Sequence, residues 1–243
     1  MESPKPPRVS FRDLILYEDE DILLVNKPVD MASLSDKSLL NLQTLSQAHD
    51  PELRLCHRLD KNTSGVLLMA RHAEAYRLLA MQFERREVQK YYHTLTAGVH
   101  SFDGYEIDLP LFVSTNKKVT VSHREGKPSL TRVYVEQTFR NYTLLRCEPV
   151  TGRMHQIRVH LAAINCPIAG DTLYGGEDIF LSQLKRKYKA SSRHDEQPIN
   201  HGYLLHARQL RFAHPRSGEQ MQIEAPYPKN FEVTLRILGK YNT

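Results

Sequence analysis

Apolar residues recur along the chain in short runs bounded by Gly, Pro or Asn, a pattern of strands rather than of long helices. Residues 22–26, 65–70, 91–97, 118–121, 131–137, 143–147 and 209–213 read as strands. Several alternate, or are rich in β-branched and aromatic side chains. Helical spacing is rarer. Over residues 72–86, Tyr76, Leu79, Ala80 and Phe83 fall at i, i+3, i+4 and i+7, which predicts an amphipathic helix with that stripe packed in the core. Over residues 155–164, Ile157, Leu161 and Ile164 repeat at i, i+4 and i+7 and mark a core side, opposite a charged face with His155 and Arg158. Thr151 or Gly152 stands where the N-cap of that helix belongs. Asn165, which tolerates the left-handed conformation, and then Pro167 end it. Strands outnumber helices without βαβ alternation, which predicts an α+β domain built on a mixed, largely antiparallel sheet.

Composition narrows the class. The 243 residues carry 33 Lys+Arg against 28 Asp+Glu, a net charge of +5. With about 150 residues per domain, the length allows one large domain or two small ones. No internal repeat, low-complexity stretch or Gly/Ser linker divides the chain. At 40% hydrophobic and 25% charged residues the composition is that of a globular protein, which excludes wholesale disorder. The mild basic excess is compatible with a polyanionic partner without requiring one. No apolar run approaches the roughly 20 residues of a membrane span. Residues 1–13 lack the apolar stretch of a secretory signal and read as a Pro-rich arm. Cys56, Cys147 and Cys166 are too few and scattered for a disulfide framework or a zinc site, so a reduced, cytoplasmic protein is expected.

Two segments concentrate chemistry. Residues 56–65, Cys-His-Arg-Leu-Asp-Lys-Asn-Thr-Ser-Gly, form a polar loop opening onto an apolar strand. Asp60 is flanked there by Arg58 and Lys61 and is expected to be ionised; by itself the loop reads more readily as a turn than as a catalytic segment. Residues 151–160 carry Arg153, His155, Gln156 and Arg158, donors suited to a carboxylate, a phosphate or a base edge. His155 and His160 are five apart and lack helical metal-ligand spacing, so no metal is expected. A third segment, 182–197, clusters Lys185, Arg186, Lys187, Lys189 and Arg193 and is expected to be a short helix followed by a polar loop. It reads either as a solvated insertion or as a phosphate-contacting patch.

Taken together, these blocks resemble the RluA-type pseudouridine synthases. The matching residues are His57-Arg58-Leu59-Asp60-Lys61-Asn62-Thr63-Ser64-Gly65, Gly152-Arg153-Met154-His155-Gln156-Ile157-Arg158-Val159-His160 and Pro167-Ile168-Ala169-Gly170-Asp171-Thr172-Leu173-Tyr174-Gly175. Val25-Asn26-Lys27-Pro28, Lys90-Tyr91-Tyr92 and Leu205-His206-Ala207 support them in order, and the resemblance spans residues 14–228. It departs at Val29-Asp30 after Pro28 and at Asn165-Cys166 before Pro167. Asp and Asn are the residues that most readily keep positive φ there.

The resemblance implies the pseudouridine synthase fold, with helices flanking the sheet and a central RNA-binding cleft. It implies isomerisation of uridine in structured RNA, ribosomal or transfer, with the target base flipped out and no cofactor. Asp60 is the implied catalytic carboxylate, with Arg158 as the cation paired with it. Tyr92, which the spacing from Lys90 favours over Tyr91, is implied to lie against the uracil and to help remove its C5 proton. Arg58 is implied to enter the RNA stack. His57, Arg153, His155, Gln156 and Leu205 belong to the implied substrate-binding set, and Lys185, Arg186, Lys187 and Lys189 are candidates for contact with the RNA backbone. Residues 14–243 are expected to be a single catalytic domain, monomeric, without a separate N-terminal RNA-binding domain. The alternative is a non-catalytic RNA-binding or ribosome-assembly protein that keeps the fold; retention of Asp60, Tyr92 and Arg158 argues against it. A glycoside hydrolase would usually need a second carboxylate flanking the bond, and none accompanies Asp60 in the matched blocks.

Overall fold

The structure is a computed structural model that describes residues 10–34, 41–185, 188 and 195–242. Arg186, Lys187, Lys189 and Arg193 lie outside the described residues, as does the expected arm up to residue 9.

The chain opens with β1 (Ile15–Glu18), β2 (Ile22–Lys27), α1 (Leu42–His49), β3 (Arg54–Leu55), β4 (Ser64–Ala70) and α2 (Ala73–Glu84). There follow β5 (Gln89–Ala97), β6 (Tyr105–Asp108), β7 (Leu111–Val113), β8 (Val119–Val121), β9 (Leu130–Thr138) and β10 (Tyr142–Pro149). The last part holds α3 (Gln156–Ala163), α4 (Leu181–Leu184), β11 (Leu205–Ala213), β12 (Gln220–Glu224) and α5 (Lys229–Tyr241). Each run read as a strand from its pattern is one, and the fold is α+β.

One sheet runs β1-β2-β4-β11-β5-β10-β9-β6, with β3 added to β4 and β12 to β11, while β7 and β8 form a separate hairpin. Among the described residues the β4–β11 pair is parallel and the other ladders are antiparallel. Strand β4 is buried along its whole length because both faces are covered, hence its unbroken apolar sequence. Its Val66, Leu68 and Ala70 pack with Ala75 and Leu79 of α2. Leu67 and Met69 pack the other way, with Leu42 and Leu53. In the second half of the sheet, Ile157 and Leu161 of α3 cover Val133, Leu145 and Cys147. Phe231 and Leu238 of α5 cover Leu95 and Leu144.

The predicted stripe on α2 holds at Leu79 and Phe83 and fails at Tyr76, whose place Ala75 takes. Tyr76 is 37% exposed, and the row facing the sheet is Ala75 and Leu79, with Phe83 beyond. The first turn of α3 also differs from expectation. Its N-cap is His155 at φ 53, not Thr151 or Gly152. The Gln156 side chain causes this: its Oε1 accepts from Thr151 Oγ1 at 2.6 Å and from the Arg153 N–H at 3.0 Å, folding 151–155 into a turn. Nor is one face of α3 solvated: Gln156 to Leu161 are all buried, because the β7–β8 hairpin packs Leu111 and Val119 on Val159. Asp30 and Asn165 do take positive φ, at 61° and 60°.

Strand β11 holds the two halves together. Its Leu205–Ala207 stretch lies between β4 and β5; after an irregularity between Ala207 and Gln209 it pairs with β12 in place of β4. The close approach to β4 demands glycine at 65, where φ is +116° and a Cβ would stand 2.2 Å from Ala207 O.

Candidate active site

The loop between β3 and β4 carries Asp60, and buried contacts hold it from below. Leu59 is sunk in the core, and Ser33 Oγ grips its backbone twice, donating to Leu59 O at 2.7 Å and accepting from Leu59 N at 3.0 Å. Thr63 N–H closes a turn onto Asp60 O. Ser64 Oγ bonds His206 Nδ1 at 2.8 Å, and Thr63 Oγ1 shares a hydrogen bond with Tyr203 OH. Beneath the loop lies Lys27, fully buried. Its Nζ donates to Pro28 O and Met31 O, each at 2.8 Å, and to Lys61 O at 3.0 Å. Burial lowers Lys27 to about 7, against the opposing charges of Asp60 and Asp30. The carboxylate of Asp60 itself remains 22% exposed.

It faces a pocket of about 460 Å³ whose walls include Arg58, Leu59, Phe83, Lys90, Tyr92, Arg153, His155, Arg158 and Leu205. The His57 loop, β5, the turn before α3, α3 and the start of β11 thus converge on one cavity. Tyr92 bridges the two cores beside it. Burial, and then the charge of Asp60, push its phenol well above the ordinary range, so it stays protonated. His155 lies with Nε2 3.9 Å from Asp60 Oδ2 and with Nδ1 bonded to Tyr174 OH at 2.7 Å. Burial lowers its pKa below 6.5, with Asp60 opposing, so the ring is neutral at pH 7.

Arg158 reaches the same pocket, but the expected ion pair with Asp60 does not form. Its Nε and Nη2 each bond Asp171 at 2.7 Å, in a pair with side chains 7% and 1% exposed. The guanidinium lies 4.8 Å from the Tyr174 ring centroid and 4.3 Å from that of Tyr203. Burial works against its charge, yet the bonds to Asp171 hold it above its ordinary pKa. Asp171 wins over Asp60 because its two oxygens match the planar fork of the guanidinium in a dry setting.

Two other candidate ligands are occupied by the protein. His57 Nε2 accepts the Leu68 N–H at 3.1 Å while its ring tilts against Phe83. Burial, reinforced by Lys90, pushes its pKa down to about 3, so it is a neutral part of the wall. The Gln156 Nε2 donates to Leu130 O and Thr131 Oγ1, so with the two bonds to Oε1 its amide is committed to the turn. Arg58 and Arg153 are exposed at the rim. Lys185 is not on the pocket wall; its Nζ lies 5.9 Å from the ring centroid of Tyr241. Asp19, Asp21 and His214 bring ligand atoms within 4.8 Å of one another, outside the pocket. Tyr17, His72 and Arg216 already bond those carboxylates, and no cation is needed to balance them.

Lys27, Asp171, Tyr174 and Tyr203 support the site without standing among its expected residues. The signal for Lys27 and Asp171 was present, since each is a charged residue inside an otherwise apolar or turn-forming matched block.

Comparison with known proteins identifies the family. The family model described as RNA pseudouridylate synthase matches residues 21–163. The chain is 39% identical over 237 residues to the ribosomal large subunit pseudouridine synthase C of Escherichia coli (strain K12), covering 93% of this chain and 70% of that protein. It is 36% identical over 233 residues to the ribosomal large subunit pseudouridine synthase D of Pasteurella multocida (strain Pm70), covering 89% and 68%. Human RNA pseudouridylate synthase domain containing 1 superposes with a TM-score of 0.66 at 30% identity, over 88% of this chain and 83% of that one. The human domain-containing 4 protein, at 24% identity and a TM-score of 0.70 over 94% and 95%, shares the fold. The chain belongs to the RNA pseudouridylate synthase family and isomerises uridine in RNA to pseudouridine.

Proposed function

We propose that this synthase acts on uridine in large-subunit ribosomal RNA, as a cytoplasmic monomer, with Asp60 as its catalytic carboxylate. The names of the relatives that match it over most of its length support the ribosomal target. One observation carries the role of Asp60: a partly exposed carboxylate, propped from below by buried bonds, at a pocket that Arg58, Arg86, Lys90, Arg153 and Arg158 also line. In the reaction the N1–C1′ bond opens, the uracil turns, and C5 bonds to C1′. C5 then loses its proton and N1 gains one, so atoms and charge balance without a cofactor.

Asp60 neutralises the positive charge that develops at C1′ as the base departs. Tyr92, a neutral phenol over the pocket floor, packs against the freed uracil and keeps water from it. Because it holds its proton, it serves here as a wall and a donor rather than as a base. Arg158 keeps its charge through Asp171 and packs on the rings of Tyr174 and Tyr203. Arg58 at the rim fills the space left in the RNA stack by the flipped nucleotide. Arg153 and His155 face the substrate, while Leu205 supplies an apolar surface.

Asp60→Asn tests the reading. Tritium release from RNA labelled with 5-³H-uridine is expected to vanish while RNA binding is largely retained. Continued turnover would remove Asp60 from the chemistry.

A further inference from the structure

One wall of the pocket holds cations that the roles above leave unused. Lys90 precedes Tyr92 by two residues on β5 and lines the same cavity, so the two are separated by about 6.8 Å along one face of the strand. Its Nζ is held by one long bond, to Thr151 O at 3.3 Å. The turn beside it presents bare backbone: a Cβ at Gly152 would come no nearer to Nζ than 3.9 Å. Arg86, at the turn between α2 and β5, lines the cavity too and acts on Lys90 by its charge. Its own φ of 61° is rare for a long side chain. Among the described residues no carboxylate forms an ion pair with Lys90, Arg86, Arg58 or Arg153, and Glu84 on the same wall pairs with none of them.

Two neighbouring cations, one largely withdrawn from water and without a counter-ion, are unfavourable in the empty protein. Burial, with Arg86 adding, lowers Lys90 to about 8. Such a pair becomes favourable when an anion with several acceptor oxygens enters between them. Lysine meets it as a point charge and arginine as a fork.

We propose that Lys90 and Arg86 form a phosphodiester-binding subsite that holds the RNA backbone beside the nucleotide presented to Asp60. The inference rests on the reading of Asp60 as the reactive end of this pocket. The lysine then sits about two strand residues from the base contact at Tyr92. A phosphate next to the flipped nucleotide falls at that kind of separation. Engagement of Lys90 at the backbone anchors the sugar while the base is free to turn.

The probe is a short fluorescein-labelled single-stranded RNA carrying one uridine, its binding followed by anisotropy across a potassium chloride series. Lys90→Gln is expected to reduce the slope of log affinity against log salt by about 0.7, the value for one phosphate contact on a single strand. Arg86→Asn, whose side chain tolerates the left-handed backbone, is expected to do the same. Lys90→Arg keeps the slope and controls for folding. It also keeps affinity level between pH 7 and 9, where the wild type weakens as Lys90 loses its proton. A single neutral methylphosphonate linkage next to the uridine weakens the wild type and leaves Lys90→Gln unaffected.

An unchanged salt slope in Lys90→Gln overturns the subsite, as does a turnover rate that falls with slope and KM unaltered. Equal weakening of both proteins by the methylphosphonate also overturns it, because the cations then serve free phosphate or nothing. Tritium release by the wild type is read separately. Its absence would count against the proposed chemistry, while the salt slope would still report on Lys90.

Discussion

Replacing Asp171 by Asn leaves the Arg158 guanidinium buried with its counter-charge removed and one acceptor oxygen in place of two. The carboxylate is 1% exposed and the guanidinium 7%, and the two bonds at 2.7 Å are the charged contacts Arg158 makes. Stripping one partner from such a pair costs about 3–5 kcal/mol, most of it the burden of the orphaned charge. The faces of Tyr174 and Tyr203 at 4.8 and 4.3 Å stay beside the guanidinium in the variant and keep the loss at the lower end of that range. The expected loss is therefore about 3 kcal/mol. For a chain of this length each kcal/mol moves the midpoint by about 2–4 °C, so melting should fall by about 6–12 °C. Asp60→Asn is the contrasting variant. Asp60 is 22% exposed and its nearest cationic candidate is a neutral imidazole 3.9 Å away, so its loss should stay within about 1 kcal/mol. Urea denaturation and thermal melts of the two variants decide the matter. If Asp60→Asn loses as much stability as Asp171→Asn, the guanidinium depends on Asp60 and the pairing argued above is wrong.

Two further outcomes can be checked on the same instruments. Lys27 drops from 10.5 to about 7 on folding, so between those values the unfolded chain holds a proton that the folded chain has released. Its contribution to stability therefore rises with pH through that window. The wild type should gain about 3 kcal/mol on Lys27→Met between pH 7 and 9.5, and equal pH slopes in chemical denaturation would refute it. Gly65→Ala drives a Cβ to 2.2 Å from Ala207 O at a φ of +116°. It should cost upward of about 3 kcal/mol or leave the protein insoluble, and a melt within a degree or two of wild type would show that β4 and β11 can separate cheaply.

Much of the sheet was legible because its strands obey short-range rules. Ile22–Lys27 and Ser64–Ala70 announce themselves as apolar runs closed by Asn-Lys-Pro and by Arg-His. The α2 stripe was misplaced at its first member because Ala75 and Tyr76 both have apolar surface and both lie one turn from Leu79. Only the sheet beneath decides which row turns inward, and it leaves Tyr76 in solvent. Within the site, the ordered blocks named Asp60, Tyr92 and Arg158, and the fold brings all three to one pocket. Motif membership assigned His57 and Gln156 to substrate, but it could not report that their polar atoms are already spent on Leu68, Leu130 and Thr151.

By itself, then, the chain's order of residues determined an α+β class with a largely antiparallel sheet, the positive φ at Asp30 and Asn165, and membership in a family of RNA-modifying isomerases. These are properties of local periodicity, local backbone preference and ordered motifs, and each is written along the chain. The tertiary structure alone decided that Arg158 pairs with Asp171, that Lys27 lies beneath the Asp60 loop, and that Lys90 stands in the pocket without a counter-ion among the described residues. Each of those depends on which groups meet through space after β11 has closed the two halves of the sheet. Burial and bond geometry there, rather than spacing in sequence, choose which charge finds a partner.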